Sequence, residues 1–137
     1  MTVSKGILLT ILFASASTQA SYSNERTLTY CGTLFSVDAL TDAVTTIQFR
    51  GEANLAGTYK FLEDGSPVFG TLVPKSPIKD HQAILLWNDK YGSGSLAVTF
   101  SENFESFEGK WGAGNEVPGN LWQGKKCDSS SEPGISS

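Results

Sequence analysis

Few residues in this chain are of types that do chemistry, and their spacing narrows what that chemistry is. Asp80-His81 is the acid–imidazole pair, and His81 is the only histidine. A hydrolytic triad needs a nucleophile at one ring nitrogen and a carboxylate at the other. Adjacent loop residues do not supply that geometry, and the chain has no Gly-x-Ser-x-Gly elbow to present a serine. Glu102, Glu105 and Glu108 gather around Phe104 and Phe107. Glycoside hydrolysis needs two carboxylates facing each other across a cleft, whereas these fall on a turn and one outward strand face. They read as a solvated acidic edge. The run Asn88-Asp89-Lys90-Tyr91-Gly92 lacks the alternating oxygen ligands of a calcium loop and reads as a turn. Gly92-Ser93-Gly94 leads into a strand rather than a helix, so it is no phosphate cradle. Two thiols and one imidazole do not complete a zinc ligand set. The expectation is no catalytic residue, no metal and no cofactor.

Aromatic side chains are the stronger signal. Trp87, Trp111 and Trp122 each lie in an alternating segment with a glycine nearby. Such rings fill a core, stack on a sugar or line a cavity, and each buried indole N–H must find an acceptor. With Tyr91 and His81 they form the expected ligand-binding set.

The elements that position these residues are read from alternation. Apolar and aromatic residues alternate with polar ones from Ala83 onward, interrupted at short intervals by Gly, Asn and Asp, as in consecutive antiparallel hairpins with one buried face. Strands are expected over Thr27–Phe35, Val44–Arg50, Leu55–Leu62, Pro67–Val73, Ala83–Trp87, Gly94–Phe100 and Phe104–Trp111, with a closing strand from Leu121. The Asp64-Gly65 pair between two such runs marks a tight hairpin. Ser36–Ala43 suits a short helical turn capped by Ser36, or a loop. Pro74–Gln82 and Gly112–Asn120 are the longer connections, and they suggest binding at one open end near both.

Met1–Ala20 has the layout of a secretory signal peptide: Lys5, an apolar run from Gly6 to Ala14, then small residues with a cleavage site at Thr18-Gln19-Ala20 or Ala14-Ser15-Ala16. The run is shorter than the roughly 20 residues a spanning helix needs. The expectation is a secreted or periplasmic protein without a transmembrane anchor. Its domain would run over residues 21–127, followed by a disordered Ser, Gly and Pro-rich tail over 128–137. After the leader, nine basic and fourteen acidic side chains remain, a net charge near −5. That balance disfavours nucleic acid, which requires clustered Lys and Arg.

Cys31 and Cys127 are the only cysteines. In an oxidising compartment they are expected to pair. One lies in the first expected strand and the other just past the last, so a bridge requires the ends of the domain to meet within about 7 Å. The fold class that follows is all-β: a single antiparallel meander, closed or nearly closed into a barrel of about eight strands, its ends joined by a disulfide.

The segments Gly57-Thr58-Tyr59, Trp87-Asn88-Asp89-Lys90-Tyr91-Gly92-Ser93-Gly94, Ser106-Phe107-Glu108-Gly109-Lys110-Trp111-Gly112 and Trp122-Gln123-Gly124-Lys125 together resemble a β-meander pattern of poorly characterised bacterial secreted proteins. In that pattern Ser-Phe-x-Gly-x-Trp-Gly is followed by Trp-x-Gly and a basic residue. The chain is also similar to calycin-type barrels, the lipocalin and avidin group, through Gly109-Lys110-Trp111, which here stands late in the chain rather than on the first strand. The resemblances imply a β module. The functional expectation is an exported, non-catalytic binding or interaction module. Its ligand would be a small apolar molecule, a carbohydrate or a partner protein. A structural envelope-associated protein is the alternative, and a small secreted hydrolase a third.

Overall fold

Period-two alternation places every second side chain of a strand on one face. In this protein eight such strands roll into a barrel around the face that is apolar. A computed structural model describes residues 25–51 and 53–128. The expected signal peptide (1–20) lies outside the described residues, as does the expected tail apart from Asp128.

The strands are β1 (Arg26–Ser36), β2 (Ala39–Arg50), β3 (Asn54–Glu63), β4 (Ser66–Pro74), β5 (Gln82–Asp89), β6 (Gly92–Phe100), β7 (Ser106–Ala113) and β8 (Asn120–Lys126). Each pairs antiparallel with the next, and β8 pairs back onto β1, so the barrel is closed. β1 and β2 share eleven register positions, from Arg26↔Phe49 to Ser36↔Ala39. The closing seam has five, from Tyr30↔Lys126 to Leu34↔Trp122. At its centre Gly32 faces Gly124. A Cβ on Gly32 would overlap the Gln123 carbonyl oxygen and the Gly124 Cα, so only glycine lets β8 approach β1 this closely. Cys31, within the seam, is bridged to Cys127, just past the end of β8, with their Cα atoms 5.1 Å apart.

The interior is filled in layers by residues of one parity. Tyr30, Ile47, Leu55, Leu72, Leu85 and Leu96 are essentially sealed from solvent. No helix among the described residues is long and apolar enough to cross a membrane.

The structure departs from the sequence expectations in two places. Ser36–Ala43 is neither a helical turn nor a loop. β1 and β2 run on to a two-residue turn, Val37-Asp38, in which both residues have positive φ (44° and 69°). Eleven cross-strand pairs outweigh the local preference, and the hairpin's right-handed twist demands a turn with φ above zero even at a β-branched residue. The long connections are the second departure, because they do not share one end. In a meander, successive connections alternate between the two ends of the barrel. Residues 75–81 follow β4 and residues 114–119 follow β7, so they stand at opposite ends and cannot share a mouth.

Candidate functional site

The two ends of the barrel differ in what their connections bring inward. At one end the β6–β7 connection folds Phe104 over the core. Its ring lies 5.3 Å from both Phe49 and Phe100. His81 stacks on it at 4.9 Å, and the Arg26 guanidinium sits 4.8 Å from the ring centroids of Phe49 and Phe104. Tyr30 donates its hydroxyl to the Phe104 carbonyl at 2.8 Å, fixing the segment from below. Phe104 has φ 60°, in the left-handed region that bulky residues rarely adopt. This end is plugged.

Burial pushes the Tyr30 hydroxyl up to about 12. An unfolded tyrosine releases its proton near pH 10, so between about pH 10 and about pH 12 the folded state binds more protons than the unfolded one. Unfolding free energy is then expected to fall as pH rises through that window. Urea midpoints measured across it check this, and Tyr30→Phe should make the decline shallower, leaving the share due to Tyr59, whose hydroxyl burial and Asp89 also hold protonated.

The other end is open. Its connections are Val37-Asp38, Asp64-Gly65, Lys90-Tyr91 and residues 114–119. Between them lies a cavity of about 260 Å³ whose walls include Leu34, Tyr59, Phe61, Trp87, Trp111 and Trp122. Ser36, Val37, Asp89 and Tyr91 stand around it nearer the mouth. Trp87 and Trp111 meet edge to face at 5.5 Å, as do Tyr59 and Trp122 at 4.7 Å. Each indole N–H is held by the barrel: Trp87 donates to the Gly112 carbonyl, Trp111 to the Phe35 carbonyl and Trp122 to the Thr45 hydroxyl, all at 3.0 Å. The Trp111 bond crosses from β7 to β1 above the point where β8 stops pairing with β1, so it ties the rim together.

A gap in the wall explains two further residues. β4 pairs with β5 only from Thr71↔Asn88 to Pro74↔Leu85, leaving Ser66–Gly70 with no β5 partner in register. Tyr59 bridges that gap. Its ring lies against Gly70, where any Cβ would collide with it, and its hydroxyl donates to Asp89 Oδ2 at 2.6 Å. Burial, and then the bond to Asp89, raise the proton affinity of this hydroxyl, so it stays a donor. Above it Glu63 accepts hydrogen bonds from the Tyr91 hydroxyl and from Lys90 Nζ at 3.3 Å, joining the β3–β4 and β5–β6 turns. The Tyr91 bond, more than Lys90, holds the Glu63 carboxyl below its ordinary range.

Of the residues expected to bind a ligand, the fold brings Trp87, Tyr91, Trp111 and Trp122 to this cavity. His81 is at the plugged end, its Nε2 3.2 Å from the Glu102 carbonyl oxygen. The acidic cluster also lies away from the cavity, and Glu105 pairs with Lys126 at 3.5 Å. Tyr59 and Asp89 were not among the expected site residues. Parity would have found Asp89, since it shares a face with Trp87 two residues earlier on β5.

A larger hollow, about 770 Å³, lies on the outer face of β1–β5. It runs over an in-register row of Thr29, Thr46, Thr58, Thr71 and Asn88. Its one aromatic ring facing outward, Phe69, is 67% exposed, so the hollow encloses nothing. The smaller cavity at the open end is the better-built site. No family model matches the chain, and no curated protein or solved structure matches it either.

Proposed function

We propose that this chain is an exported, non-catalytic binding protein that holds one small, mainly apolar molecule in the open end of its barrel. The observation that carries this reading is the contrast between the ends: one is plugged by Phe104, and the other keeps an aromatic cavity beneath an open mouth. Eight-stranded barrels have an interior that side chains just fill, or that holds a single small ligand. The likeness to calycin-type barrels points the same way. Export is supported by the signal-peptide pattern of residues 1–20 and by the Cys31–Cys127 disulfide, which persists in oxidising compartments.

One observation favours a partner protein as the second reading. Val37 and Leu40 of the β1–β2 hairpin, Tyr91 of the β5–β6 turn and Val117 of the β7–β8 connection are exposed at the open end, and Val37 and Val117 are 81% and 90% exposed. An apolar rim of this kind suits a protein that covers the mouth.

Native mass spectrometry of protein purified from its own host tests the proposal. A retained small molecule is expected, and a Ser36→Trp variant, which puts an indole across the mouth, should lose it and so melt below the loaded parent, but no lower than the parent freed of its ligand. Retention of the same adduct by Ser36→Trp would contradict the proposal, and a stoichiometric protein adduct would favour the second reading.

A further inference from the structure

We infer that the occupant of the open end carries a protonated amine, directed at Asp89; this rests on the reading of that end as a binding site. The inference comes from what the cavity has left to offer. Among the described residues five aromatic donors line it, those of Trp87, Trp111, Trp122, Tyr59 and Tyr91, and every one is already given to a protein acceptor. Among the polar side chains of the described residues around the cavity, the Ser36 hydroxyl and the Asp89 carboxylate remain. Asp89 accepts from the Tyr59 hydroxyl on one oxygen and from the Tyr91 backbone N–H on the other at 2.8 Å. A carboxylate has about four acceptor positions, so each oxygen keeps one for a ligand donor.

Charge and desolvation then select the donor. A molecule that fills an aromatic cavity expels the water around Asp89, and an uncompensated carboxylate in such a place is costly. A cation offsets that cost, a neutral hydroxyl does so less, and an anion adds to it. The aromatic rings favour the same choice, because their faces carry negative potential and attract a cation within about 6 Å. The wider field agrees. Asp38, Glu63, Asp64, Asp89 and Glu116 lie on the turns and strand ends of this end of the barrel, against Lys90, which is 3.3 Å from Glu63. A mouth lined by one sign of charge concentrates ligands of the opposite sign. At about 260 Å³ the cavity is just below the ~300–1,000 Å³ of drug-sized sites, so the ligand is a compact amine with an apolar or aromatic body.

Three probes of one shape test this: phenethylamine, phenethyl alcohol and phenylacetate, each titrated calorimetrically into the full exported chain. Phenethylamine is expected to bind roughly ten- to a hundredfold more tightly than the alcohol, as a charge-assisted bond replaces a neutral one, and phenylacetate weakest of all. Asp89→Asn should bring the amine-to-alcohol ratio towards one. Because Asp89 also anchors Tyr59 and Tyr91, Glu63→Gln serves as a second variant; it removes rim charge without touching the Asp89 bonds and should reduce the amine preference by a smaller factor. Equal binding of all three probes, blocked by Ser36→Trp, would overturn the amine assignment while leaving the open end as the site. Absence of binding by every probe would overturn both.

Discussion

A Cys31→Ala/Cys127→Ala variant is expected to lose about 4–5 kcal/mol of unfolding free energy, the value the chain-entropy model gives for a closed loop of about a hundred residues. The bridge spans 96 positions and encloses nearly the whole barrel. It also guards the seam that closes the barrel. β1 holds β2 through eleven register positions but β8 through five, and the Cys127 N–H adds one further bond to the Thr29 carbonyl at 3.0 Å. Most of the effect should act through the unfolded chain, which the bridge keeps compact. The urea dependence of unfolding should therefore steepen in the variant, since more surface is exposed when it opens. A midpoint and slope both unchanged from the parent would show that the seam closes without help.

Trp122→Ala is expected to cost about 3–5 kcal/mol, the range for emptying a large aromatic from a packed interior. Trp122 is 2% exposed, meets Tyr59 edge to face and donates to Thr45, itself buried. Truncation removes the floor of the open-end cavity, strips the Thr45 hydroxyl of its donor and frees the Tyr59 ring that spans the β4–β5 gap. Trp122→Phe should recover most of the stability, because the ring contact survives and only the indole bond is lost. Val117→Ala, on the exposed rim, should change stability by no more than about 0.5 kcal/mol. Chemical denaturation of the three variants side by side gives the comparison, and a small loss for Trp122→Ala would mean that the cavity floor is loosely packed.

The barrel was legible in the sequence because its determinants are local or nearly so. Alternation around Leu96, Val98 and Phe100 sets the inward face, Asp64-Gly65 supplies a turn with φ above zero, and the two cysteines bracket the strands that must meet. The site was legible only in part. Trp87, Trp111 and Trp122 announce an aromatic interior by type alone. Which end they serve depends on counting connections, and the one after the fourth strand necessarily opposes the one after the seventh. Asp89 was hidden because a carboxylate beside Lys90-Tyr91 looks like turn chemistry, while strand pairing carries β5 two residues further and turns that side chain inward. The plug was hidden for another reason. Phe104 adopts φ 60° under the combined pull of the Tyr30 hydrogen bond and four neighbouring groups, and no local preference of phenylalanine foretells that. Val37 is the same case at the mouth, a β-branched residue held at positive φ by the pairing on either side.

The most direct test of where this barrel binds is a ¹⁵N–¹H spectrum of the protein during titration with phenethylamine. The chain has three tryptophans, so three indole N–H signals report on the cavity. The open-end account predicts that the Trp87 and Trp111 indole signals and the Ser36 and Asp89 amides move together, while the His81 and Phe104 amides at the far end stay still. Movement confined to His81 and Phe104, or to the Thr29–Asn88 row on the outer face, would contradict it.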